Sequence, residues 1–435
     1  MANYWDKTAE TLPRETLEAR QLDSLRGALV RALRTPFYRA RLTAIGLTDP
    51  RDLSRLSDAS KIPFTTKDDL RKGYPDGFLA VDKADVVRMH SSSGTTGMPT
   101  VIYHSQNDLD GWTALCARSL VATGASRQDV FQNMMSYGLF TGGLGLHYGA
   151  EKVGMLVIPA GAGNTLRQIQ LMADFRTTAV HATPSYLLHL HDELVKMADQ
   201  PRLHLKKAFV GAEPHSEETR KKIETLFSID VYNSYGMSEM NGPGVAFECI
   251  HKEGMHLWED AFLMEVIHPD TDAVLPEGQD GELVLTTLWR QATPLLRYRM
   301  RDLTRVLPGD CVCGRTHRRV ARMKGRSDDM LIINGVNVFP SQIETLLMQA
   351  PEVGTNYQLH VEKKGALDRL IVKTEIDPRL FLGDIGDLER LKSRLRESIK
   401  SAALVNPVIE LHEPGSLPVT QGKAVRVVDH RKGVY

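Results

Sequence analysis

His90-Ser91-Ser92-Ser93-Gly94-Thr95-Thr96-Gly97-Met98-Pro99-Thr100 is the stretch on which the reading of this chain turns. Ser and Thr hydroxyls donate to phosphate oxygens, and glycines let backbone N–H groups turn inward as an anion-binding nest. The Gly-Lys-Ser/Thr ending of a Walker A loop is missing. Composition alone also suits a plain surface turn. The order of the residues argues for phosphate, and makes Ser91, Ser92, Ser93, Gly94, Thr95, Thr96 and Gly97 candidate nucleotide-binding residues.

Outward from this loop the chain reads as a multidomain α/β protein. Its 435 residues suit about two to four domains. Leu22, Leu25, Leu29 and Leu33 sit at helical spacing in residues 13–45, a segment expected to break near Thr35-Pro36. Thr65 or Thr66 is expected to cap a short helix. Short β-type runs at 155–159, 178–182 and 207–211 alternate with helical patterns, which predicts parallel sheets flanked by helices. Residues 244–306 are β-rich and predict an antiparallel sheet or small barrel. Beyond residue 327 follow a strand (330–333), a helix (341–350), a strand (370–375), a helix (388–404) and a β-type tail (408–411). The expected division is a large N-terminal domain, 1–327, with a β-rich subdomain, and a small, mobile α+β domain, 328–435.

Composition removes several classes of function. Lys+Arg and Asp+Glu are both 54, so there is no basic footprint for nucleic acid and no pull toward anionic lipid. No run of about 18 apolar residues suggests a membrane span. The start of the chain lacks the pattern of a signal peptide. The four cysteines are too few for a disulfide scaffold, and a reduced, cytoplasmic location is expected.

Later stretches carry further chemistry. Gly211-Ala212-Glu213-Pro214 ends an apolar strand. Tyr235-Gly236-Met237-Ser238-Glu239 offers an aromatic face for a base and a carboxylate for Mg²⁺. Asp302, in Arg299-Met300-Arg301-Asp302, is a natural bidentate acceptor for a vicinal diol. Gly325-Arg326-Ser327-Asp328 lies between the two expected domains, and Gly422-Lys423 lies near the C-terminus. Cys311-Val312-Cys313, with the distant Cys249 and His256, suits a tetrahedral, structural Zn²⁺ site, with His251 and His317 as competing ligands.

Taken in order, these motifs resemble those of the adenylate-forming superfamily. The segments Asn3-Tyr4-Trp5, Thr35-Pro36-Phe37-Tyr38, Lys61–Lys67, Tyr137–Gly145, Leu257–Asp260 and Asn337–Glu344 narrow the resemblance to the phenylacetate–CoA ligase family, along essentially the whole chain. The resemblance implies that ATP activates an aryl or arylacetic acid as an acyl-adenylate, and that CoA then takes the acyl group and AMP leaves. It implies an adenine pocket at Gly211, Ala212, Glu213 and Pro214. Tyr235 would lie against the base, with Gly236 and Met237 in the same turn. Ser238 would be near the α-phosphate, Glu239 on Mg²⁺, Asp302 on the ribose hydroxyls and Arg326 on ribose or phosphate. Asp328 would be the hinge and Lys423 the catalytic cation. Gly335 would line the pantetheine channel. Tyr137 and Phe140 would wall the acid pocket, with Gly142 and Gly143 leaving it room. A homodimer taking part in phenylacetate catabolism is expected as well. One departure stands out: Met98 occupies a position where related loops carry Lys. Two other readings therefore stay open, a CoA-independent adenylyltransferase and a non-catalytic nucleotide- or CoA-sensing protein.

Overall fold

The computed structural model describes residues 3–91, 98–327, 330–365, 367–377, 385–418 and 424–431. The chain divides into two compact units. One comprises Met1–Gly161, Thr177–His181 and Tyr232–Met323; the other comprises Ala162–Arg176, Ala182–Val231 and Lys324–Tyr435.

In the first unit, the helix Arg14–Ala32 buries Leu17, Gln21, Leu25, Ala28, Leu29 and Ala32, a stripe at helical spacing. It stops where expected. The Thr35 hydroxyl then accepts the Tyr38 N–H at 3.1 Å and starts a second helix, Pro36–Ala44, with proline in its first turn. Thr66 caps the helix Lys67–Lys72, and Asp69 returns the bond to the Thr66 N–H. The short helix is thereby aimed by two reciprocal bonds.

The helices Gln106–Ala122 and Gly142–Val153 pack face to face because glycine lets their backbones close in. A Cβ on Gly149 would lie 2.5 Å from the Cβ of Cys116, and one on Gly145 would lie 2.5 Å from the Trp112 ring. Cys116 is accordingly plain core. The strand Val130–Asn133 pairs in parallel with Leu156–Ile158 and with Ala179–Ala182. The helix Gly142–Val153 forms the crossover between the first two, as parallel pairing requires.

The β-rich region of the first unit is an antiparallel sheet system. Gly242–Glu248 pairs with the end of Asp230–Met237 and with Met255–Leu257. Met255–Leu257 continues to Arg319–Val320, which pairs with Val306–Leu307. Separately, Gly281–Thr287 pairs with Phe262–Ile267 and Tyr298–Thr304.

The second unit contains the helices Thr165–Asp174, Pro184–Lys196 and Glu217–Phe227 and the strand Lys207–Val210. It also contains a four-stranded sheet in the order Val408–His412, Leu367–Ile376, Val353–Lys364, Val427–Asp429. The helices Pro340–Gln349 and Ile385–Ala403 cover that sheet over a core of Ile343, Leu347, Leu359, Leu370, Leu395 and Ile399. No helix among the described residues is long and apolar enough to cross a membrane.

The glycine-mediated packing predicts that Gly149→Ala lowers stability by about 1–3 kcal/mol, because the new methyl meets backbone atoms that cannot step aside. A thermal melt checks this, and an unchanged midpoint would show that the two helices are not in close contact.

Candidate active site and metal centre

In the first unit, the site is built on one hairpin. The strand Asp230–Met237 carries Tyr235 near its end, a single tight turn (Ser238–Met240) carries Glu239, and Gly242–Glu248 returns antiparallel. At Gly236 a Cβ would lie 1.7 Å from the Gly242 carbonyl oxygen, so only glycine fits. Asn241 adopts the left-handed backbone (φ 80°) that closes the turn.

Tyr235 and Asp302, singled out for base and ribose, meet directly. The phenol donates to Asp302 Oδ2 at 2.5 Å. That bond orients the carboxylate. Glu239 is buried, and its Oε1 accepts the Thr100 hydroxyl at 3.4 Å. The Lys67 ammonium stands 3.9 Å from the same oxygen. A carboxylate shared between a hydroxyl and a cation suits a divalent-cation ligand. Ser238 Oγ lies 3.3 Å from the Thr141 hydroxyl, so the hairpin touches the segment that starts the helix Gly142–Val153.

The start of the serine-rich loop is tied to the same segment. The Ser91 N–H donates to the Leu139 carbonyl at 3.1 Å, and His90 Nδ1 lies 3.1 Å from the same oxygen. Ser92–Gly97, Asp328 and Lys423 lie outside the described residues. The Tyr137 hydroxyl lies between Asn133 Nδ2 (3.0 Å) and His147 Nδ1 (3.1 Å), and burial pushes it up to about 12. Phe140 is exposed. Gly142 is the roomier glycine, since a Cβ there would come no nearer than 3.4 Å to Met135. One on Gly143 would lie 2.7 Å from the Ser136 carbonyl oxygen. Gly143 is thus required by the backbone itself.

In the second unit, Ala212 takes a left-handed conformation (φ 67°) and swings the Gly211–Pro214 turn. Glu213, Pro214 and Arg326 line a cavity of about 620 Å³ together with Phe339, Glu344 and Arg426. Gly335 (φ 84°) follows Asn334 (φ 51°) in the two-residue turn of the hairpin Leu331–Ile333 and Val336–Val338. An Asn-Gly pair with both φ values positive is the favoured connection there.

Arg290 had no motif to point to it. It is fully buried, and its guanidinium donates to the Glu239 carbonyl at 2.6 Å, to the Thr293 carbonyl at 3.3 Å, and to the Asn241 side chain. Burial pulls it down to about 10, so it stays charged at neutral pH. It braces both ends of the Glu239 turn.

The expected metal ligands converge. One ligand atom from each of Cys249, His256, Cys311 and Cys313 lies within 4.8 Å of all the others, and all four residues are buried. Cys249 and Cys311 sulfurs are 3.7 Å apart, and Cys313 Sγ is 3.3 Å from His256 Nε2. A zinc–sulfur bond of about 2.3 Å gives tetrahedral edges of about 3.8 Å, so the donor set fits a tetrahedral ion. His256 Nδ1 donates to the His317 carbonyl at 2.9 Å, which leaves Nε2 as the ligating atom. His317 is outside the set, because its Nδ1 accepts the Glu259 N–H at 2.9 Å and its Nε2 faces the Ala9 carbonyl at 3.0 Å. The N-terminal segment clamps this loop: the Tyr4 hydroxyl donates to the Cys313 carbonyl at 2.7 Å, and Arg315 pairs with buried Glu10 at 2.6 Å.

Comparison with known proteins places this geometry. Residues 40–288 match the family model of the AMP-binding enzymes, and residues 335–431 match that of the AMP-binding enzyme C-terminal domain. The phenylacetate–coenzyme A ligase of Aromatoleum evansii is 45% identical over 97% of this chain and 96% of its own. The chain belongs to the phenylacetate–CoA ligase family. The Escherichia coli K12 member is 44% identical over 97% of each chain. Among solved structures, 2-hydroxyisobutyryl-CoA ligase in its postadenylation state, holding 2-HIB-AMP, is 28% identical with a TM-score of 0.92. The match covers 98% of this chain and 92% of that one. The fold is that of the adenylate-forming enzymes.

The bracing by Arg290 predicts that Arg290→Met destabilises the protein. The carbonyls of Glu239 and Thr293 lose their partner, at about 1–3 kcal/mol for each left unsatisfied. Melting with and without AMP checks this. A variant with unchanged melting and unchanged AMP stabilisation would contradict the role assigned to Arg290.

Proposed function

We propose that the chain activates an aryl or arylacetic acid with ATP to an acyl-adenylate and then transfers the acyl group to CoA. The observation that carries this reading is identity near 45% with phenylacetate–CoA ligases along 97% of the chain. The joined Tyr235–Asp302 pair and the buried Glu239 support it.

The chemistry follows in two steps. The acid's carboxylate oxygen attacks the α-phosphorus of ATP, a new P–O bond forms, and pyrophosphate leaves. The CoA thiol, losing its proton, then attacks the acyl carbon; the C–O bond to AMP breaks and the thioester remains. Asp302, held by Tyr235, accepts the ribose hydroxyls and so fixes the α-phosphorus along the line of attack. Glu239 would hold Mg²⁺, which when bound would neutralise charge on the phosphates. Lys423 supplies a point cation where charge builds on phosphorus. Ser91 and the loop that follows it bind phosphate, and Arg326 serves ribose or phosphate. Tyr137 and Phe140 wall the acid site, Gly335 gives the thiol arm room, and Asp328 is the hinge between domains 1–327 and 328–435.

The Cys249–His256–Cys311–Cys313 set holds a structural Zn²⁺, since every tetrahedral position is filled by protein. The protein works as a cytoplasmic homodimer.

Purified protein given ATP, Mg²⁺, CoA and a panel of aryl acids should yield AMP and an aryl-CoA together by HPLC, and Lys423→Ala should lose both. AMP transfer that proceeds without CoA would favour an adenylyltransferase. Nucleotide binding with no product from any acid would favour a sensor, the reading that Met98 motivates. Elemental analysis should find about one equivalent of zinc per chain, and Cys311→Ser should lose it along with stability. Full stability without metal would contradict the structural role.

A further inference from the structure

Asn133 and His181 put two polar side chains where strand pairing has no use for them. The two residues are direct partners across the parallel strands Val130–Asn133 and Ala179–Ala182, and both lie in the first unit. Both are buried, beside the fully buried Phe131 and Val180. The Met134 N–H already donates to the His181 carbonyl at 2.9 Å, so the backbone joins the strands without them. A buried polar pair costs free energy unless its hydrogen bonds are met. Asn133 and His181 stand toward the carboxyl ends of their strands, where open parallel sheets bind ligands.

The bonds of Asn133 fix which groups are donors. Its Nδ2 faces the Gly143 carbonyl at 2.6 Å, which can only accept, and its Oδ1 faces the Met135 N–H at 3.3 Å, which can only donate. The amide is therefore oriented one way. Nδ2 also donates to the Tyr137 hydroxyl at 3.0 Å, and Oδ1 must accept from His181 Nδ1 at 3.1 Å. All four positions of the amide are then used. His181 carries its proton on Nδ1, and burial pulls the ring down to about 3, so it stays neutral. Its Nε2 is left as a lone pair that no group among the described residues meets. The Tyr137 hydroxyl, by contrast, is engaged on both sides, by Asn133 and by His147.

We propose that His181 determines which acid this chain takes: its Nε2 accepts a hydrogen bond from a ring hydroxyl, which makes the substrate a hydroxyaryl acid rather than plain phenylacetate. The proposal rests on the ligase reading above, with Tyr137 and Gly143 at the acid site. Asn133 bonds to both of those residues and to His181, so the imidazole belongs to the same cluster as the wall assigned to the aryl ring. An aryl ring without a donor leaves that lone pair unmet, and a phenol meets it. A pocket built to bond a hydroxyl also discriminates more strongly than one that only measures a methylene.

Wild-type kcat/KM is measured with phenylacetate, with each hydroxyphenylacetate isomer and with each methylphenylacetate isomer. A methyl group matches the hydroxyl in size but donates nothing. One hydroxyl isomer should exceed both phenylacetate and its methyl counterpart by about 10- to 100-fold. His181→Met, which fills the space without an acceptor, should bring that hydroxyl-to-methyl ratio close to one while phenylacetate is still turned over. Asn133→Ser, which frees the imidazole to turn, should shrink the same ratio and decides the matter if His181→Met does not fold. An unchanged ratio in a variant that folds, judged by its melt, would overturn the assignment to His181. Wild-type protein that uses phenylacetate or a methyl acid as well as every hydroxyl acid would overturn the proposal and leave the ligase reading standing. Wild-type protein inert toward every acid would overturn the ligase reading and this proposal with it.

Discussion

The candidate site depends on one close approach of backbone to backbone. Gly236 passes so near the Gly242 carbonyl that no side chain of any size could stand there. That contact lets the chain reverse within Ser238–Asn241 and begin its antiparallel return. Tyr235, just before the turn, is delivered to Asp302; Glu239, within it, is delivered to Thr100. Gly242 is tight on its other side too, where a Cβ would lie 2.5 Å from Thr141. The Tyr137–Gly145 segment is therefore registered to the same turn, and two sets of residues far apart in sequence share one origin.

Electrostatics complete what sterics begin. A fully buried guanidinium is costly unless its hydrogen bonds are met. Arg290 meets part of that need: its two terminal nitrogens donate to the carbonyls of Glu239 and Thr293 and to the side chain of Asn241, while its buried Nε has no partner among the described residues. The result is a positive charge held against the backbone of the Glu239 turn. The cysteine–histidine cluster settles a different problem. It ties the Cys311–His317 loop to the strand that holds His256, and the clamp from Tyr4 and Glu10 brings the N-terminal segment to the same place.

What the sequence disclosed was what chemistry demands locally. The Cys-x-Cys pair, with Cys249 and His256, could be assembled from donor types, although only the geometry excluded His317 by using both of its ring nitrogens elsewhere. Thr35-Pro36 marked a helix junction because a capping hydroxyl and a proline each act within one turn. Arg290 was silent, since an arginine between two strands resembles any solvated arginine until its burial is known. The Glu213–Ala424 bond spans 211 residues and the Tyr4–Cys313 bond spans 309. No periodicity or motif encodes such pairs; they exist only once tertiary packing brings distant segments together.

In the proposed reaction a carboxylate oxygen of the acid is bonded to the α-phosphorus before CoA arrives. Phenylacetate labelled with ¹⁸O in its carboxyl group tests this most directly, with products separated and read by mass spectrometry. One labelled oxygen should pass from the acid into AMP as the thioester forms. Label recovered in orthophosphate or pyrophosphate, or AMP formed without label, would contradict it.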